Sequence, residues 1–171
     1  MTSAITKSTL ESNAYENVFS ILDTRSLVPD PRDKTGLQRR KFIYDSDPLA
    51  KGLNFGEFPY IIAELPTMEY SKVSADGKSK EIKWSVAITT RTLREGANQA
   101  SASTGRTDSL SIGDSLQTLF NTKTNSQTFA DLRMFFTYLT KYDTSTPVID
   151  ERYIYQSDYT LTFMERIVVS D

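Results

Sequence analysis

Apolar residues in the first block, Ser3 to Arg25, fall at Tyr15, Val18, Phe19 and Leu22, with Leu10, Ala14 and Ile21 beside them. Steps of three and four put them on one face and predict an amphipathic helix ending near Ser26. Residues 26–41 carry Pro29, Pro31 and Gly36 and read as loop. From Lys41 to Thr92 the period becomes two. Phe42-Ile43-Tyr44 predicts a short strand, Phe58 to Leu65 is a dense apolar run, and Thr67 to Val73 alternates. Lys80 to Leu93 alternates best: Ile82, Trp84, Val86 and Ile88 face one way, Lys83, Ser85, Ala87, Thr89 and Arg91 the other. That pattern is a strand with one buried face and one partly wet face. Asp76-Gly77 suits the positive φ of a tight hairpin, so the strands on either side of it pair antiparallel.

Residues 94–113 are mostly Gly, Ala, Ser, Thr and Asn, with almost nothing apolar. They predict a long, mobile Ser/Thr-rich loop, since such a segment buries too little area to order itself. Leu110, Leu116, Leu119 and Phe120 predict a short helix after Asp114. Thr128 to Tyr142 predicts a clearer one. Phe129, Leu132, Phe136 and Leu139 recur at three and four, Phe135, Tyr138 and Tyr142 widen the stripe, and Asp131 and Lys141 match the helix dipole. After Thr146-Pro147, Arg152 to Val169 predicts one long strand, bent or split in two, with Tyr153, Tyr155, Tyr159, Leu161 and Phe163 on one face. The expected fold is α+β, one domain over residues 1–171. It is an antiparallel sheet of four to five strands with helices packed on one face.

Composition narrows the chemistry. The chain has 171 residues, no Cys and no His. Disulfides, thiolate nucleophiles, His-based triads and His or Cys metal sites are therefore excluded, and no cofactor or metal site is expected. A net charge of −2 argues against a surface that wraps nucleic acid, and no nucleic-acid motif is present. No apolar run reaches the length of a membrane span, and Met1 to Leu10 lacks the apolar centre of a signal peptide. The expectation is a protein made in a cytoplasm that makes no membrane contact.

One enzyme reading deserves weighing. Glu81-Ile82-Lys83 has the Glu-x-Lys spacing of metal-dependent nucleases, because residues two apart on a strand share a face. It needs a further acid, Glu69 or Asp76. A solvated strand face explains the same residues more simply, and the chain is expected not to be an enzyme. What remains is a binding surface with segregated charge. Between Arg25 and Lys41, six cations (among them Arg32, Lys34, Arg39 and Arg40) face two aspartates. Between Tyr142 and Asp171, six acids (among them Asp150, Glu151 and Asp158) face two arginines. Head-to-tail contacts between copies would bring these two patches together. Both patches simply facing water is the bland alternative.

Gly56-Glu57-Phe58-Pro59-Tyr60-Ile61-Ile62-Ala63-Glu64-Leu65-Pro66 resembles the strand of tail terminator and tail completion proteins of long-tailed bacteriophages. The order around it, an N-terminal helix, a hairpin ending in Trp84-Ser85-Val86-Ala87-Ile88, a helix and a C-terminal strand, is similar as well. The resemblance implies a homo-oligomeric ring, commonly a hexamer, at the head-proximal end of the tail. Its partners would be the tail tube protein and the head connector or stopper, its place the virion neck, and its function to end tube polymerisation and join tail to head. A different neck component (a stopper or adaptor) is a close variant, and a small cellular adaptor domain a more distant one. The resemblance carries over no catalytic residue and no cofactor.

Overall fold

The structure is a computed structural model, and it describes residues 14–16, 18, 22, 43–48, 58–73, 75, 78–94, 102–121, 134–149 and 151–168. Seven strands and a long helix follow in chain order: β1 (Ile43–Tyr44), β2 (Tyr60–Ala63), β3 (Thr67–Val73), β4 (Ser79–Leu93), the helix Ala102–Asn121, β5 (Met134–Ser145), β6 (Val148–Ile149) and β7 (Arg152–Val168). Ala14, Tyr15, Glu16, Val18 and Leu22 are helical and belong to an N-terminal helix.

The centre is the antiparallel pair β4–β7, in unbroken register from Ser79 opposite Val168 to Leu93 opposite Ile154. β2 and β3 lie one after the other along the far edge of β4, opposite residues 88–91 and 80–85 respectively. Between them the Glu64 N–H still donates to the Ala87 carbonyl at 3.0 Å, so Glu64-Leu65-Pro66 interrupts a single line of chain. β5 and β6 likewise follow one another along β7, parted at Thr146-Pro147. The spatial order is β1-β2-β4-β7-β5, and β1 runs parallel to β2. The sheet thus has seven strands rather than four to five, because a proline-containing break divides two of its lines.

Alternation decides what each face buries. Ile82, Trp84, Val86 and Ile88 of β4 are fully buried and join Ile61, Ala63, Leu139, Tyr159, Leu161 and Phe163 from neighbouring strands. Ala14, Val18 and Leu22 of the N-terminal helix and Ile112, Leu116, Leu119 and Phe120 of the long helix pack into this same cluster. Both helices therefore cover one face. Each large side chain buried here contributes about 1.5–3 kcal/mol. Trp84 stacks on its cross-strand partner Phe163, centroids 6.5 Å apart, and its indole N–H donates to Glu165 Oε2 at 2.9 Å. The polar atom of the largest core side chain is thereby satisfied. Phe58, Tyr60, Ile62, Leu93 and Ile154 form a smaller cluster at one end of the other face.

Two segments correct the sequence reading. Residues 102–113 of the expected Ser/Thr-rich loop are helix, continuous with the apolar turns after Asp114. Their small side chains are what the packing needs. A Cβ on Gly105 would overlap the carbonyl oxygens of Leu93 and Arg94, and one on Gly113 would lie 2.7 Å from the Tyr159 hydroxyl. The helix has no acidic residue in its first turn and no basic one in its last, so contact with the sheet, not end charge, holds it. The remaining residues of that expected loop, 95–101, lie outside the described residues.

The second correction concerns Thr128 to Tyr142, expected as a helix. Met134–Ser145 is strand β5, paired with β7, while residues 128–133 lie outside the described residues. Aromatic and Thr-rich composition suits a pleated surface. Irregularities between Phe135 and Tyr138 and between Lys141 and Asp143 break the two-residue alternation, leaving a spacing that mimics a helical stripe. The hairpin β3–β4 is as expected, but Val73 pairs with Lys80, so six residues rather than two join the strands. Asp76 and Gly77 lie outside the described residues.

The glycine contacts make a stability prediction. Gly105→Ala gains about 1 kcal/mol of helix propensity but must displace main-chain oxygens, and overpacking of that kind costs about 1–3 kcal/mol. A lowered urea midpoint is expected, with a smaller effect for Gly113→Ala, whose obstacle is the end of a side chain. A Gly105→Ala protein as stable as wild type would mean that the helix does not lie against the end of β4.

Candidate functional site

The sheet face opposite the helices, together with the outer hairpin β5–β6–β7, is where polar and aromatic side chains collect. On β4 the outward positions are Glu81, Lys83, Ser85, Ala87, Thr89, Arg91 and Leu93. Register sets them beside Arg166, Met164, Thr162, Thr160, Asp158, Gln156 and Ile154 of β7.

A hydrogen-bonded network crosses three strands of this face. Arg91 donates from Nε to Gln156 Oε1 at 2.8 Å, and from one terminal nitrogen to Asp47 Oδ2 at 2.7 Å and the Tyr60 hydroxyl at 3.1 Å. Gln156 Nε2 passes the chain to Asp158 Oδ2 at 3.0 Å, and Thr89 Oγ1 donates to Asp158 Oδ1 at 2.6 Å. Burial opposes the Arg91 charge, yet its bonds to Tyr60 and Asp47 outweigh burial and raise its pKa. Tyr60 is fully buried, and desolvation pushes its phenol up to about 12 despite the neighbouring guanidinium. The network ties the segment after β1, through Asp47, to β2, β4 and β7. It holds the Arg91 charge in place.

Beside it, Asp143 of β5 pairs in register with Asp158 of β7. The Tyr142 phenol is held above its ordinary pKa by local desolvation first, then by the charges of Asp158, Glu64 and Asp143. Tyr142 is 63% exposed and Tyr138 49%. Val148 of β6 and its cross-strand partner Tyr153 of β7 are also exposed. Four of the six large apolar side chains left in water among the described residues therefore lie on the outer hairpin. Its tip is Glu151, exposed and at φ 64°, a left-handed conformation that costs a residue with a Cβ about 1–2 kcal/mol.

Of the residues expected to make assembly contacts, only Glu151 and Asp158 are among the described residues. Arg32, Lys34, Arg39, Arg40 and Asp150 lie outside the described residues. Glu151 sits at the hairpin tip. Asp158 is buried and already accepts from Thr89 and Gln156, so it acts as an internal acceptor, not an open contact. Seven strand positions separate these two acids, roughly 23 Å of chain. Of the Glu-x-Lys pair, Lys83 donates to Glu69 Oε2 at 3.3 Å across β3–β4, an exposed cross-strand ion pair. Glu81 stands opposite Lys72 and Arg166. Among the described residues no group of three acids converges to hold a metal ion, and no helix is long and apolar enough to cross a membrane.

Sequence reasoning missed Arg91, Tyr60, Asp47 and Gln156. The alternation did put Arg91 on the outward face, but its partners are 31 to 65 residues away and depend on strand register. Tyr138 and Tyr142 were hidden by the helical reading of their segment. The chain matches no protein-family model, and no curated protein matches it.

The Tyr60 phenol yields a pH prediction. Its folded pKa, about 12, stands above the ordinary 10.0 of an unfolded tyrosine. Below pH 10 both states are protonated and the contribution is complete. As pH climbs from 10 through 12 the unfolded state alone loses its proton, and stability falls. Urea titrations across that window should show Tyr60→Phe losing less stability than wild type. Parallel losses in the two proteins would contradict the assignment.

Proposed function

We propose that this chain is a ring-forming structural protein of the virion neck in a long-tailed phage. It is a tail terminator that closes as a homo-oligomer, hexameric by resemblance, on the head-proximal end of the tail. The observation that carries the reading is the outer hairpin. Tyr138, Tyr142, Val148 and Tyr153 stand in water on β5, β6 and β7, while large side chains of β2, β4 and the middle of β7 are buried in the two clusters. Such side chains suit an interface core, where aromatic groups are enriched. The resemblance of residues 56–66 to the family's strand supports it from the sequence side.

The physics of the role is simple. The β4–β7 pair and the helices make a rigid platform. Subunit contacts repeated head to tail close a ring when the rotation between copies closes. The acidic hairpin of one copy and the basic residues 25–41 of the next have complementary charge, which would make assembly sensitive to salt. A closed ring ends the tube because its outward surface does not repeat the tube's own docking surface, and that surface is left to the head connector. A stopper or adaptor at the neck would use the same platform against different neighbours.

Native mass spectrometry and electron microscopy of the purified protein, alone and with tail tubes, test this. Closed rings of one order are expected, with Tyr142→Asp and Val148→Asp giving folded subunits that no longer close. A wild-type protein that stays monomeric at micromolar concentration with and without tubes sinks the reading.

A further inference from the structure

β5 is the outermost strand on its side of the sheet among the described residues. An edge of this kind presents main-chain donors and acceptors to any extended chain that comes alongside. At its middle, however, the Leu139 N–H donates to Asn121 Oδ1 at 2.7 Å, and Asn121 Nδ2 donates back to the Leu139 carbonyl at 3.1 Å. The same Nδ2 reaches Gln117 Oε1 at 3.5 Å, one helical turn earlier. Asn121 ends the long helix, so packing of Leu116, Leu119 and Phe120 on the sheet sets where its amide stands. A side-chain amide has the same C=O and N–H as a peptide unit. The two bonds it makes with Leu139 are the pair that a neighbouring antiparallel strand exchanges with one residue.

We propose that Asn121 is a built-in plug of the β5 edge, a side-chain substitute for the missing strand that keeps a second copy of the chain from adding there. The orientation of the amide follows from the bonds, because only an oxygen can accept from Leu139 N–H and only the nitrogen can donate to its carbonyl. Without the plug, Leu139 offers both groups. The chain best matched to them is β5 of another copy, since two identical edges in antiparallel register are self-complementary about a two-fold axis. Lys141, exposed two residues on, and the two irregularities of β5 leave the stretch around Leu139 as the regular part of the edge, which is where the plug sits. The inference does not depend on the ring, because the contact it prevents is a strand pairing and not the outer surface of the hairpin.

Hydrogen exchange and sedimentation velocity on the full chain decide it. In wild type the Leu139 amide should exchange at least about tenfold slower than an unstructured amide. Asn121→Ala should lose that protection when dilute enough to sediment like wild type, while Leu161 in β7 keeps its own. At higher concentration it should sediment as a species larger than wild type, with protection restored by the strand pairing. Asn121→Asp keeps an acceptor for Leu139 N–H but faces the carbonyl with no donor, so protection should persist and association rise only in part. If Asn121→Ala does not fold, Asn121→Asp decides by the same readings; if neither folds, the wild-type exchange rate decides. Unprotected Leu139 in wild type overturns the proposal. So does a folded Asn121→Ala protein that keeps its protection at dilutions where it sediments like wild type, or one that associates no more than wild type at any concentration.

Discussion

The antiparallel pairing of β4 with β7 is the constraint on which the rest of the structure depends. Its register runs without a break from one end of β4 to the other. One consequence is that every even position of β4 up to Ile88 meets an apolar residue of β7 on the same face, or in one case Glu165, whose carboxylate the Trp84 indole occupies. A one-residue slip would turn Trp84, Val86, Leu161 and Phe163 toward the opposite face, which is why so long a pairing admits a single register. The edge strands then need only match a surface already formed. β2 and β3 share one side of β4, and β5 and β6 share one side of β7.

The helices impose a second constraint, on size rather than on apolarity. The long helix approaches the end of β4 closely enough for Gly105 to sit on main-chain oxygens and for Gly113 to sit at the Tyr159 hydroxyl. Of its large apolar residues, Ile112, Leu116, Leu119 and Phe120 are buried and Leu110 is exposed. Its last residue, Asn121, then falls level with Leu139 and meets the edge of the sheet.

On the face opposite the helices, polar order takes over from apolar packing. Arg91, Tyr60, Asp47, Gln156, Asp158 and Thr89 satisfy one another through bonds of 2.6 to 3.1 Å. Such a network fixes strands relative to each other at the end of the sheet where the second apolar cluster lies. Exposed apolar surface is left on the outer hairpin, and the proposed assembly function would draw on that division between a settled sheet and an apolar, acidic rim.

Alternation in residues 80–93 was enough to read β4, its buried face and the hairpin with β3, because a half-buried strand has a period of two that no helix shares. The Tyr159, Leu161 and Phe163 face of β7 and the helical step of Ala14, Val18 and Leu22 were legible for the same reason. Residues 102–113 and 134–145 were not. The former form a helix only because the sheet accepts a chain of small side chains at close range. The latter form a strand only because β7 offers a free edge, and two irregularities erase the alternation that would have announced it. The Arg91 network and the meeting of Asn121 with Leu139 lay equally beyond the sequence. Each joins residues from different elements, and what brings them within hydrogen-bond distance is register and helix placement, properties of the packed whole.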